Sequence, residues 1–194
     1  MIMGFVSNKE LADWKNPPSD LPRFQFYEKH RTLIRTAYPE KILPAVASFD
    51  IQKDAVVKAL MSVRQLPETL RRRKPDTPVK PFGLHSFTLL EHSASELCYG
   101  LRGQFWRSDF GLETVPDRLA YGAALPPGNA KLLLRYQVQP LGSEQYDLCT
   151  ETFIYCPDNA TQVKMAAYWL AIRAGSGWIR RRTLKAVQRA LYSE

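Results

Sequence analysis

Ala130-Lys131-Leu132-Leu133-Leu134-Arg135-Tyr136-Gln137-Val138-Gln139 carries the clearest periodicity in the chain. Ala130, Leu132, Leu134, Tyr136 and Val138 alternate with Lys131, Arg135, Gln137 and Gln139, the period of two that sends successive side chains to opposite faces of a strand. Leu141-Gly142-Ser143-Glu144 then turns the chain, and Tyr146 to Cys156 returns as a second strand, so the pair reads as an antiparallel hairpin. Upstream, Phe87 to Glu91 and Glu96 to Trp106 read as another hairpin around His92-Ser93-Ala94-Ser95. A further strand is expected near Leu119 to Leu125, closed by Pro126-Pro127-Gly128. From Phe24 to Thr36 the alternation recurs: Phe24, Phe26, Glu28, His30, Thr32 and Ile34 share one face, and Gln25, Lys29, Arg31 and Arg35 mostly the other.

Helical periods lie between and after these strands. Pro39 suits the first turn of a helix through Ile42, Ala45, Val46 and Phe49, with Pro44 the one discordant residue. A second short helix is expected from about Asp54, burying Val56, Leu60, Val63 and Leu70. Lys74 to Pro81, with three prolines, is a connector. At the end of the chain Asp158 or Asn159 can cap a helix whose Val163, Ala166, Ala167 and Leu170 recur at inward spacing. Gly175-Ser176-Gly177 is expected to kink or interrupt it, after which Ile179, Leu184, Val187 and Leu191 face in and Arg181, Lys185 and Arg189 face out. Residues 1–22 hold a short helical stretch and the breaker Asn16-Pro17-Pro18-Ser19-Asp20-Leu21-Pro22, and read as an appendage leaning on one domain, 23–194. The sum is an α+β fold in which a curved antiparallel sheet wraps a long C-terminal helix, with two short helices after the first strand. Space between sheet and helix can serve as a pocket.

A chain of 194 residues that is 45% hydrophobic, with nine Phe, nine Tyr and four Trp, can fill one ordinary core and is not disordered. Three Cys without pairing pattern argue against a disulfide scaffold, and three His without close Cys, Asp or Glu spacing argue against a metal site. The opening Met1-Ile2-Met3-Gly4-Phe5-Val6 is too short for a signal segment and no apolar run is long enough to span a bilayer, so a soluble, cytoplasmic, reduced protein is expected. The net charge of +8 resides in two blocks, Arg71-Arg72-Arg73-Lys74 and the basic residues between Lys164 and Arg189. Such blocks are either a solvated face or a footprint for anionic surfaces. No zinc-ligand spacing, ribonucleoprotein motif or helix-turn-helix spacing accompanies them, so no specific nucleic-acid partner is expected. GxxxxGK[ST], GxGxxG and GxSxG motifs are likewise absent, which removes the usual signals of nucleotide binding and serine hydrolysis.

Several stretches resemble the helix-grip superfamily of START-like and polyketide-cyclase-like proteins, often called SRPBCC, and in particular a bacterial branch of it. They are Tyr27-Glu28-Lys29-His30, Gly83-Leu84-His85-Ser86-Phe87-Thr88-Leu89-Leu90, Glu96 to Trp106, Pro127-Gly128-Asn129-Ala130-Lys131, Thr150-Glu151-Thr152, Tyr168 to Arg173 and Ser176-Gly177-Trp178-Ile179-Arg180. Together they run from Phe24 to Leu191. The resemblance implies a helix-grip fold with an internal cavity for a hydrophobic, lipid-like or polycyclic molecule, and no cofactor; some members of the superfamily act as cyclases.

Candidate wall residues for that cavity are Leu97, Tyr99, Leu101, Trp106, Leu132, Leu134, Tyr136, Phe153, Trp169 and Leu170, and candidate orienting groups are Glu151, Arg102 and His30. Glu151 on an aromatic-rich strand face needs a partner or a proton; it either pairs with an arginine such as Arg102 or acts as acid and base. His30 is either a buried histidine bonded to a carboxylate or a base. Cys98, Cys149 and Cys156 lack activating neighbours and read as inert thiols. A binding protein is therefore expected first. A cyclase or dehydratase using Glu151 or His30 is the alternative, and an adaptor for anionic membrane or nucleic acid the third reading.

Overall fold

The computed structural model describes residues 3–48, 86–107 and 111–192. The expected second helix from Asp54, the Arg71–Lys74 run, the Lys74–Pro81 connector and His85 lie outside these residues. The described elements are α1 (Asn8–Ala12), β1 (Phe26–Arg35), a 3-10 turn (Pro39–Lys41) leading into α2 (Ile42–Ser48), β2 (Thr88–His92), β3 (Glu96–Gly103), α3 (Arg118–Gly122), β4 (Ala130–Gly142), β5 (Gln145–Tyr155) and α4 (Asn159–Tyr192). Pro44 is tolerated in α2 because it is the third residue of the helix, where the backbone N–H has no intrahelical acceptor to lose.

Five antiparallel strands form one curved sheet in the order β1-β5-β4-β3-β2, and α4 packs on one face. The inward face of β1 carries Phe26, Glu28, His30 and Ile34 as the alternation predicts, but Phe24, expected with them, precedes the strand and packs on the opposite face. Two apolar clusters divide the sheet–helix interface. Phe26, Leu101, Ala130, Ile154, Met165 and Trp169 pack under the first half of α4. Ile34, Ile42, Val46, Leu97, Tyr99, Leu134, Tyr136, Leu148, Leu184 and Val187 pack under the second half together with α2.

The opposite face is covered too, by the N-terminal segment and α3. Val6, Leu21 and Phe24 join Tyr27, Leu90, Cys98, Tyr121, Leu133 and Phe153 in a third cluster. The segment crosses the edge of β1: Phe5 bridges Phe26, Val6 N donates to Gln25 O at 2.9 Å and Tyr27 N to Gly4 O at 2.8 Å. Trp169 Nε1 donates to Met3 O at 3.3 Å, so the strap touches the helix as well as the outer face. On that face Gly100 lets the Tyr121 ring lie against the sheet, since a Cβ there would stand 2.6 Å from the ring.

Three sequence expectations change. Residues 118–122 form a helix rather than a strand: Asp117 caps it by accepting from Ala120 N at 2.7 Å, and the turn buries Tyr121. α4 runs unbroken through Gly175-Ser176-Gly177. Its first half is also rotated from the expected phase. Thr161, Met165 and Trp169 face the sheet, while Val163 and Leu170 are 70% and 47% exposed. The phase is set by Trp169, which packs on Phe26 with ring centroids 5.9 Å apart and is held by Met3.

The strap contributes buried side chains to the outer-face cluster. The Trp14 ring stands edge-on to Tyr27 and Phe24, with centroids 4.6 and 5.0 Å away. Trp14→Ala should lower stability by about 2–3 kcal/mol, somewhat less than truncating a fully buried aromatic. Urea unfolding followed by circular dichroism checks this; an unchanged midpoint would mean the segment contributes nothing to the folded core.

Candidate functional site

The outer face of the sheet holds Glu151 in a complete set of partners. Glu151 lies opposite Arg135 of β4 and Lys29 of β1 in register. Tyr27 Oη donates to Oε1 at 2.5 Å; Arg135 Nε and Nη2 reach Oε2 at 2.9 and 2.7 Å; Lys29 Nζ lies 3.3 Å from Oε1. Arg135 also donates to Asn16 O of the strap at 3.0 Å and stacks over Phe153. Burial pushes the Glu151 carboxyl up, but the Tyr27 hydrogen bond and the Arg135 and Lys29 charges outweigh it and hold it below its ordinary 4.5. The same carboxylate, after burial, raises the Tyr27 phenol. The expected arginine partner is thus Arg135 and not Arg102. Arg102 pairs with Glu113 at 2.7 Å and donates to the Ala120, Ala123 and Ala124 carbonyls at the end of α3, where Lys131 also donates to Gly122 and Ala123. These are the orphan carbonyls of a helix terminus, so both cations act as C-terminal caps.

Glu151, Arg102 and Phe153 consequently lie across the sheet from α4 and do not share a site with the other expected wall residues. Leu97, Tyr99, Leu101, Leu132, Leu134, Tyr136 and Trp169 do come together on the helix-facing side, with Trp106 packed at its margin. Leu170 points away to solvent.

Between the two helix-facing apolar clusters lies a polar block. In register, Glu28 faces Thr152 and His30 faces Thr150 across β1 and β5. Glu28 Oε1 is 3.0 Å from His30 Nε2. Burial raises the Glu28 carboxyl, yet the His30 hydrogen bond and the charges of Arg180, His30 and Arg173 bring it below its ordinary 4.5. An ionised Glu28 only accepts, so Nε2 of His30 is the donor in this hydrogen bond. α4 lies directly on this pair: a Cβ at Gly177 would stand 2.9 Å from Glu28 Oε1 and 3.3 Å from the imidazole. Two residues earlier, on the far side of the helix, a Cβ at Gly175 would meet nothing within 4 Å. Arg180, a member of the C-terminal basic block, turns inward, where its charge acts on both Glu28 and Tyr136.

Three atoms of this block, Glu28 Oε2, Thr152 Oγ1 and Arg180 Nη1, are buried with no hydrogen-bond partner among the described residues. The Thr150 hydroxyl has the Tyr136 phenol as neighbour but makes no well-formed hydrogen bond. Each unsatisfied buried polar group costs about 1–3 kcal/mol, and folded chains keep few of them. The alternation places Glu28 and His30 on the same inward face without naming them as partners, and does not single out Thr150, Thr152 or Arg180. Helical spacing held the signal for Arg180, which is separated from the exposed Trp178 by about 200°.

Burial raises all three thiols, Cys149 to about 11 and Cys156 to about 12, so none is a nucleophile at neutral pH. Two surface depressions, about 720 Å³ beside Arg118, Leu119, Gly122 and Ala123 and about 240 Å³ between Arg23 and Gln162, lie away from the sheet–helix interface. Among the described residues no three His, Cys, Asp or Glu side chains gather as a metal site, and no helix is long and apolar enough to cross a membrane.

Removing one member of a buried ion pair leaves the other uncompensated, at about 3–5 kcal/mol. Glu151→Gln should therefore destabilise by roughly that amount at pH 7. Because the folded carboxyls of Glu151 and Glu28 titrate below 4.5, their stabilisation is complete above that pH and is lost as pH falls through the lowered folded values. Urea midpoints measured from pH 7 down to pH 3 should fall steeply below about pH 4.5 in the parent and less steeply in Glu151→Gln.

Comparison of the chain with models of protein families, with curated proteins and with solved structures gives no match.

Proposed function

We propose that the chain binds a small hydrophobic molecule, lipid-like or polycyclic, between the sheet and α4 in a helix-grip arrangement, with the polar end of the guest at Glu28, His30, Thr152 and Arg180. The observation that supports this reading is the set of orphaned atoms on Glu28, Thr152 and Arg180, buried on an otherwise apolar face. Polar groups left unsatisfied inside a fold destabilise it, and they persist where a site requires them. Their chemistry selects the guest. Glu28 Oε2 needs a donor, Arg180 Nη1 needs an acceptor and Thr152 can supply or accept a proton. A neutral hydroxyl or phenol meets all three. A phosphate or free carboxylate is disfavoured, because it would bring its charge against an ionised Glu28.

The Glu28–His30 pair favours a second reading, a cyclase or dehydratase. Glu28 would orient the imidazole through Nε2–H, a neutral His30 would then take a proton at Nδ1, and Arg180 would stabilise an oxyanion formed on the guest. Glu151 has no part in this chemistry, being fully engaged on the other face.

Native mass spectrometry of the purified protein, with solvent extraction, tests the binding reading. A retained mass of a neutral hydroxylated molecule is expected, and it should vanish in Thr152→Val. That near-isosteric change should also stabilise the fold by about 1 kcal/mol, since it deletes a hydroxyl with no partner among the described residues. An apo mass together with a destabilised Thr152→Val would overturn the proposal. If the extracted guest is converted by the parent and merely held by His30→Gln, the enzyme reading prevails.

A further inference from the structure

α4 has a second face, and it does not belong to the site. Val163, Ala167, Leu170, Trp178, Arg181, Lys185, Arg189 and Tyr192 recur at steps of three or four with one step of eight, which aligns them along one side of a helix about 50 Å long. All are exposed: Val163 is 70%, Leu170 47%, Trp178 40% and Tyr192 53% accessible. Arg182 stacks its guanidinium over the Trp178 ring at 5.3 Å. Of the seven Lys and Arg residues in α4 only Arg180 turns fully under the helix toward Glu28, and α4 contains no Asp or Glu. The stripe is apolar in its first half, reaches Trp178 near its middle and is cationic beyond it.

We propose that this outward face of α4 docks on an anionic lipid bilayer. Charge complementarity supplies the long-range attraction, since each Lys or Arg near an anionic leaflet strengthens binding. The apolar residues decide between anionic partners. A polyphosphate backbone would leave Val163 and Leu170 in water, whereas an interface accepts aliphatic side chains at the acyl boundary and seats a tryptophan at headgroup level. Arginine stacked on that tryptophan is suited to the same depth, with its stem on apolar surface and its charge at the phosphates. The proposal is independent of what the sheet–helix interior binds.

Sedimentation of the full chain with equimolar phosphatidylcholine–phosphatidylglycerol vesicles tests it, with pure phosphatidylcholine vesicles and a short DNA duplex as comparisons. Expected is binding to the anionic vesicles alone, falling with added salt. Arg181→Gln with Lys185→Gln should weaken it about 25-fold, near fivefold for each charge, and Leu170→Ser with Trp178→Ser should weaken it as well. All four positions are exposed, so unchanged circular dichroism and melting are expected for both variants. Absence of sedimentation with anionic vesicles at low salt overturns the proposal, as does binding that survives the double charge change. Binding to the duplex that is insensitive to Leu170→Ser with Trp178→Ser would assign the face to nucleic acid instead.

Discussion

Burying the Glu151 carboxylate obliges three strands and the N-terminal strap to meet in one register. Its partners come from β1 (Tyr27 and Lys29) and β4 (Arg135), and Arg135 in turn reaches the strap at Asn16. A slip of one residue in either strand pair would carry these side chains to the opposite face and strand a charge in the core. Hydrophobic alternation alone specifies the pairing of β1 with β5 weakly, because the middle of β1, Glu28 to Thr32, is polar on both faces. The ion pair fixes the pairing.

What that register fixes on the other side of the sheet is the polar block. With Lys29 opposite Glu151, Glu28 must face Thr152 and His30 must face Thr150, both toward α4. The helix meets the block with Gly177, the one residue type that allows its backbone to approach the Glu28–His30 pair so closely. The interface is thus apolar at both ends and polar at its waist. On the outer face every oxygen of Glu151 is engaged, whereas on the inner face one oxygen of Glu28 has no partner among the described residues.

The strands and their inward faces could be read from the chain because alternation is a local property, carried by residues two apart. So could the second half of α4, where Leu184 and Val187 are unambiguous. The first half could not. Val163, Ala166, Ala167 and Leu170 make as good a helical stripe as Thr161, Met165 and Trp169, and the choice rests on a long-range contact of Trp169 with Phe26 and Met3. The partner of Glu151 was hidden for a similar reason. Arg102 and Arg135 share the same sheet face, but only strand order reveals that β4 adjoins β5 while β3 lies one strand further away. The helix at 118–122 depended on a single cap by Asp117, too weak a signal beside apolar residues that suit a strand equally well.

Three thiols divide unevenly between the two layers of this fold. Cys98 and Cys149 sit beneath the strap side of the sheet, and Cys156 sits in the cluster beneath the start of α4. All are buried and protonated at neutral pH, so a thiol reagent meets them only when the covering layer opens. Detachment of the strap would uncover Cys98 and Cys149 while Cys156 stayed closed, and lifting of the helix would do the reverse. The chain thereby carries its own two-channel record of which half of the sandwich breathes first.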